Sequence, residues 1–179
     1  MKHKVFTPSI LLLLCVCVFG GFVFAQTAEP GAEEAFYEMT KMAPREYSKG
    51  NLDKARSIAG RLLKEAPNWE KNWNYGNAIQ AANIVLGRIA MGEGDVDRAK
   101  KHLLAAGRTP GSPQLNSFGP DMTLASEFLA HREKDVVLEY FDLCAKFWNP
   151  RFSKLDEWRK EIRAGNMPQF GANLRYVGF

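Results

Sequence analysis

Reactive and metal-binding side chains are scarce here. The 179-residue chain has three cysteines and three histidines. Cys15 and Cys17 lie in an apolar N-terminal run and Cys144 stands far from both, so removal of that run leaves one thiol and no internal disulfide, and the fold must hold by its core. His102 sits in a helical stretch beside Lys100 and Lys101, His131 in a charged turn between helices, and both are expected at the surface. Neither has a partner at metal-ligand or nucleophile spacing. There is no His-Glu-x-x-His, no Gly-x-Ser-x-Gly and no phosphate loop, and Ser117 with His102 and Asp121 has no triad-like order. No catalytic residue, no metal ligand set and no cofactor is therefore expected. Sustained strand alternation is missing too, which excludes a sheet-based fold. So is a basic stripe, which excludes a nucleic-acid role: the pI near 9.0 is spread over mixed charges.

The N-terminus carries a strong signal. Lys2, His3 and Lys4 precede an almost wholly apolar run from Ile10 to Phe24, broken by Gly20-Gly21, and Val23-Phe24-Ala25 offers a peptidase site before Gln26. The run is short of the ~20 residues that a membrane-spanning helix needs. Residues 1–25 are read as a signal peptide cleaved after Ala25, and export to a periplasmic or secreted location follows. The membrane is a partner only if this segment is retained. Leu14 and Val16 before the two cysteines are too large for lipid attachment. Loss of Lys2 and Lys4 lowers Lys plus Arg from 24 to 22 against 20 acids, leaving +2 on a mature chain of 154 residues. That length suits one domain with a sizeable core.

Residues 26–32 read as a linker, 33–165 as helical, and 166–179 as an irregular tail. Ala35, Phe36, Met39, Met42 and Ala43 recur at helical spacing, with a break or kink expected at Pro44. Leu52, Ala55, Ile58, Ala59, Leu62, Leu63 and Ala66 keep an apolar stripe that Pro67 ends. A long pattern from Trp69 to Met91, its start left open around Gly76, stops at Gly92-Glu93-Gly94, and Asp95 caps a further helix through Ala99, Leu103 and Ala106. The stretch 109–120 holds three prolines and two glycines and reads as a shaped loop. Asp121 or Thr123 starts the next helix, Val136 to Phe147 form another, and Ser153 caps a last one through Leu155, Trp158 and Ile162.

Two segments share one template. Gly50-Asn51-Leu52-Asp53-Lys54-Ala55 and Gly94-Asp95-Val96-Asp97-Arg98-Ala99 each turn on Gly and place Ala five residues later. With Tyr47 and Pro67 around the first unit, Leu86-Gly87 and Ala106 in the second, and Leu124-Ala125, Val137, Phe141 and Cys144 in a third that lacks the turn glycine, the chain resembles the tetratricopeptide repeat over residues 36–148. The 44 residues from Gly50 to Gly94 exceed that family's ~34. An elongated helix around Trp69 to Gln80 would absorb the excess; a broader α-helical repeat or an irregular bundle stays open. The resemblance implies an all-α fold of stacked antiparallel hairpins, about three, with a groove lined by the first helix of each. It also implies a non-catalytic scaffold for a protein or peptide partner.

Candidate partner-binding residues follow. Asn77, Gln80, Ile84 and Arg88 share a helix face, where carboxamides can bond an extended backbone and Arg can grip a carboxylate. Gln114 and Asn116, with Ser117 and Asp121, bring polar groups to the stiff 109–121 loop, which reads equally as a connector. Trp69, Trp73 and Tyr75 are expected to cover a helix junction, and Cys144 to be a buried small hydrophobe. The alternatives are an enzyme or small-ligand binder with a site built from the 109–121 loop and the tail, and a membrane-anchored assembly factor.

Overall fold

A computed structural model describes residues 31–174. The segment read as a signal peptide, most of the expected linker and the last five residues of the tail lie outside that range. The described residues are all-helical: α1 (Ala32–Ser48), α2 (Leu52–Glu65), α3 (Tyr75–Gly92), α4 (Val96–Gly107), α5 (Pro113–Phe118), α6 (Thr123–Ala130), α7 (Lys134–Cys144) and α8 (Leu155–Arg163), with short 3-10 turns at Ala66–Trp69 and Gly171–Asn173.

The apolar stripes decide the packing. Phe36, Met39 and Ala43 of α1 and Ala55, Ala59 and Leu62 of α2 close against Ala78, Ala82, Val85 and Ile89 of α3. Small residues at the crossings bring the helices close, and each fully buried large apolar side chain contributes roughly 1.5–3 kcal/mol. The opposite side of α3 adds Ile84 and Ala90 to a second core with Leu103 of α4, Leu124 and Phe128 of α6, Tyr140 and Phe141 of α7, and Trp158 and Ile162 of α8. α3 is thus the shared wall of two cores. Its sequence fits that place, because a helix apolar on both sides has to be covered on both.

The turns repeat more faithfully than the sequence does. At Gly50 the N–H reaches the Tyr47 carbonyl (2.9 Å) and the Asn51 N–H reaches Glu46 (3.0 Å); at Gly94 the acceptors are Met91 and Ala90, at Gly165 Ile162 and Glu161. This is the double-bonded helix end that needs one residue with positive φ. Between α6 and α7 the same pair of bonds runs from Arg132 to Leu129 and from Glu133 to Phe128, with Arg132 at φ 64°. The missing third glycine is replaced by a strained arginine rather than by a different turn.

Several expectations need correction. α1 runs unbroken through Pro44. The carbonyl that Pro44 cannot serve belongs to Thr40, where α1 meets Asn74, whose Nδ2 donates to Thr40 Oγ1. The long helix starts at Tyr75, not Trp69; the extra residues of that unit form the 3-10 turn Ala66–Trp69 and the bends of 70–74. The loop 109–120 contains α5, opened by Ser112 Oγ accepting from the Leu115 N–H, with Pro113 in the first turn. Ala32 of the expected linker already belongs to α1, and the tail holds a 3-10 turn. Asp95 caps α4 as read, accepting from the Arg98 N–H (3.0 Å), whereas the N-cap of α8 is Lys154 and Ser153 stands one residue before it, its Oγ accepting from the Leu155 N–H (3.2 Å).

Gly76 explains how the loop reaches α3. A side chain there would sit 1.8 Å from the Gly111 carbonyl oxygen, and the neighbouring Thr109 hydroxyl donates to the Gly76 carbonyl at 2.9 Å. Only glycine lets 109–111 cross the first turn of α3 this closely. That crossing sets α5 beside α1 and α3.

Candidate functional site

Where α1, α3 and α5 converge, a cleft of about 190 Å³ opens. Tyr37, Thr40 and Lys41 come from α1, Trp73 and Asn74 from the bend before α3, Asn77, Gln80 and Ala81 from α3, and Gln114, Leu115 and Asp121 from the α5 region. Tyr37 and Trp73 form one wall, with ring centroids 5.3 Å apart and planes at 53°. Trp73 keeps 45% of its surface exposed, unusual for the largest apolar side chain in a folded domain. Lys41 caps the Tyr37 ring at 4.1 Å and pairs with Glu38, whose hydrogen bond raises the lysine's pKa above its ordinary value and keeps it charged. A second hollow of about 490 Å³, lined by Gly31, Glu33, Glu34 and Asn72, shares Tyr37 and Trp73 with the cleft. The two adjoin at the aromatic pair.

The floor is a chain of carboxamides. Asn77 Nδ2 donates to Asn74 Oδ1 (3.2 Å) and to Gln114 Oε1 (3.1 Å), while its Oδ1 accepts from the Ser112 hydroxyl (2.6 Å). Gln80 Oε1 accepts the backbone N–H of Asp121 at 3.0 Å, which fixes the orientation of that amide. Its Nε2 then lies buried with no acceptor, although Gln80 is only 3% exposed. Such an orphaned donor costs about 1–3 kcal/mol unless water or another polar group supplies an acceptor. Asp121 is held in turn: its Oδ1 accepts from the Thr123 N–H (2.7 Å) to start α6, and its carbonyl accepts from Tyr140 Oη (2.8 Å). The tail braces this segment from outside the cleft, Asn173 Nδ2 donating to the Phe118 and Pro120 carbonyls at 3.0 and 2.9 Å.

Of the residues named from sequence, Asn77, Gln80 and Gln114 meet in the cleft, together with Asp121 and Trp73. The others go elsewhere. Arg88 pairs through Nε with Glu127 of α6 at 2.6 Å and lies over the Tyr47 ring at 4.3 Å. Ile84, expected on the same face, is in the second core. The Asn116 amide, turned with its nitrogen toward the carbonyls, donates to Ser112 and Phe147 at 3.0 and 3.2 Å and fastens α5 to the end of α7. Trp69 stacks on Phe36 with centroids 5.4 Å apart, so it covers the junction as expected while Trp73 separates from it. Tyr37, Thr40 and Asn74 escape the sequence reading. The available sign is that Tyr37 and Lys41 sit off the Phe36, Met39 and Ala43 stripe, an aromatic and a cation on the face α1 does not bury.

The remaining reactive groups are occupied by the fold. His102 is half-buried rather than at the surface: Nδ1 is 2.9 Å from Asn83 Oδ1, and burial, with Arg98 nearby, lowers its pKa. Burial pushes the Cys144 thiol far above the ordinary range, so it stays protonated inside the second core. Among the described residues no three His, Cys, Asp or Glu side chains gather to hold a metal ion. No described helix is long and apolar enough to cross a membrane. Comparison with protein-family models, with curated proteins and with solved structures gives no match.

Proposed function

We propose that the chain is an exported, non-catalytic, tetratricopeptide-like module that holds an extended peptide segment of a protein partner in the trough over α1 and α3. The observation that carries this reading is the aromatic pair Tyr37–Trp73 standing between two adjoining hollows, with the buried Gln80 amide nitrogen unsatisfied below. An extended chain can cross both hollows along the aromatic pair. α1 and α3 are the first helices of the first two hairpins, the place where the resemblance puts a ligand groove. The enzyme or small-ligand alternative needs a closed pocket around Asn116, Asp121 and the tail. Asn116 is spent on backbone carbonyls, and the described residues of the tail brace the loop without lining the cleft.

Selection of displayed random peptides on the purified protein tests this. Enriched peptides are expected to compete with one another and to lose binding to Trp73→Ala. No enrichment over an unrelated helical protein contradicts the reading. The export part is checked separately by N-terminal sequencing of the protein from the cell envelope or medium, with Gln26 expected first and Met1 contradicting it.

A further inference from the structure

Opposite charges mix along most of the chain, but one end of the molecule departs from this. Residues 108–120 and 145–154 carry Arg108, Lys146, Arg151 and Lys154 and no Asp or Glu. The fold lays these two segments side by side. The Asn149 N–H donates to the Asn116 carbonyl at 3.0 Å, and the Asn116 amide reaches the Phe147 carbonyl at 3.2 Å. Side chains at Gly111 and Gly119 would meet Phe147 at 2.8 Å and the Trp148 ring at 2.5 Å, so the contact runs along both segments. All four cations are exposed, and none pairs with a carboxylate among the described residues. Of the acids nearest in sequence, Asp121 is buried against Thr123, Asp142 and Asp156 pair with Arg159, and Glu157 is left against the four cations.

The same end carries apolar rings. Phe118, at the end of α5, is 70% exposed and Phe152, in the turn that its N–H closes on the Asn149 carbonyl, is 52% exposed; these are the highest values among the described large apolar side chains. Water is a poor neighbour for both. The backbone around them is already engaged. The Arg151 N–H ends on Asn149 Oδ1, those of Phe152 and Ser153 on the Asn149 carbonyl, and that of Gly119 on Leu115. Positive charge and apolar rings remain, with few directional hydrogen bonds between them. A polypeptide partner is held in register by directional bonds or by a recess. A bilayer of anionic lipid needs neither, because it accepts rings at its headgroup–acyl boundary and cations at its phosphates wherever they fall.

We infer that this end of the molecule is a peripheral membrane-docking face, Phe118 and Phe152 entering the headgroup region of an anionic bilayer while Arg108, Lys146, Arg151 and Lys154 lie against its phosphates. The contact needs neither a crossing helix nor an N-terminal anchor, and it is independent of the peptide-binding reading of the trough.

Vesicle co-sedimentation of the chain from Gln26 onward provides the test. Phosphatidylcholine vesicles with about one third phosphatidylglycerol are expected to bind at least about tenfold more tightly than phosphatidylcholine alone, and less tightly as salt rises. Phe118→Ser/Phe152→Ser should weaken binding about tenfold or more at unchanged charge, and Arg151→Glu/Lys154→Glu by about as much. All four side chains are exposed, so circular dichroism of both variants should match the parent. Arg132→Glu/Lys134→Glu makes the same change of charge at the opposite end of α7 from Lys146 and should bind nearly as the parent does. Equal loss in that control, or full binding by the phenylalanine variant, would reduce the contact to net charge and overturn the inference. Absence of binding to the anionic vesicles overturns it as well. So does capture of the protein by soluble polyglutamate in their place, which would make the partner an acidic polypeptide.

Discussion

Glu46 shows how much one buried side chain organises. Only 3% exposed, it accepts from Asn51 Nδ2 at 2.8 Å and pairs with Lys49 and Lys54, tying the end of α1 to the start of α2. The Asn51 hydrogen bond, followed by those of the two lysines, holds its pKa near 2, below the ordinary 4.5, against the opposing effect of burial. A lowered carboxyl pKa stabilises the fold above the unfolded value, and that contribution disappears as pH falls from about 4.5 through about 2. Thermal melts across that range should show the parent losing stability more steeply than Glu46→Gln, which has no proton to gain; parallel curves would contradict this. Arg132 is the second residue-scale case. A side chain at φ 64° costs about 1 kcal/mol that glycine does not pay, so Arg132→Gly should raise the melting temperature by about 2–4 °C. An unchanged or lower value would mean that the arginine is compensated. Gly50 and Gly94 are legible from sequence because glycine announces a positive φ; Arg132 is not, because the two backbone bonds that hold it there leave no mark on composition.

At the scale of elements, sequence periodicity locates α2, α4 and α7, where one face is buried and the other is wet. It misplaces the start of α3, because Trp69 and Trp73 keep the apolar spacing while the backbone makes a 3-10 turn and bends. It misses α5 because six residues are too few for a period, and only Ser112-Pro113 marks its start. The cleft is half legible. Asn77 and Gln80 can be chosen as a helix face and Gln114 as a loop polar group, yet the bond between Asn77 and Gln114 spans 37 residues and depends on Gly76 admitting the loop. Gly76→Ala tests that dependence. The added methyl meets backbone rather than a movable side chain, so the substitution should cost about 1–3 kcal/mol in denaturant melts and weaken ligand binding as α5 shifts. Full stability together with full affinity would show that the crossing is not needed.

For the whole molecule, the decisive feature is a helix with a core on each side. Ile84 faces one and Val85 the other, one residue apart on α3. A chain built this way should unfold as a unit although it carries two hydrophobic clusters. Ile84→Ala and Val85→Ala are each expected to cost about 2–4 kcal/mol and to shift one shared transition, with fluorescence and circular dichroism melts coinciding. Two separated transitions would mean that the first hairpin is independent of the rest. Neither core by itself reveals the function. The proposed function rests on what α3 leaves uncovered at its first turns, where α1 and α5 approach without closing.

The trough can be examined residue by residue in solution. In a titration of isotope-labelled protein with a peptide enriched by display, nuclear magnetic resonance should show the Trp73 indole and the Gln80 and Gln114 side-chain amides shifting together with the backbone of Tyr37, while Arg132 and Met167, at the far hollow beside α6 and α8, stay fixed. Shifts confined to that far hollow, or none at saturating peptide, would contradict the assignment of this surface.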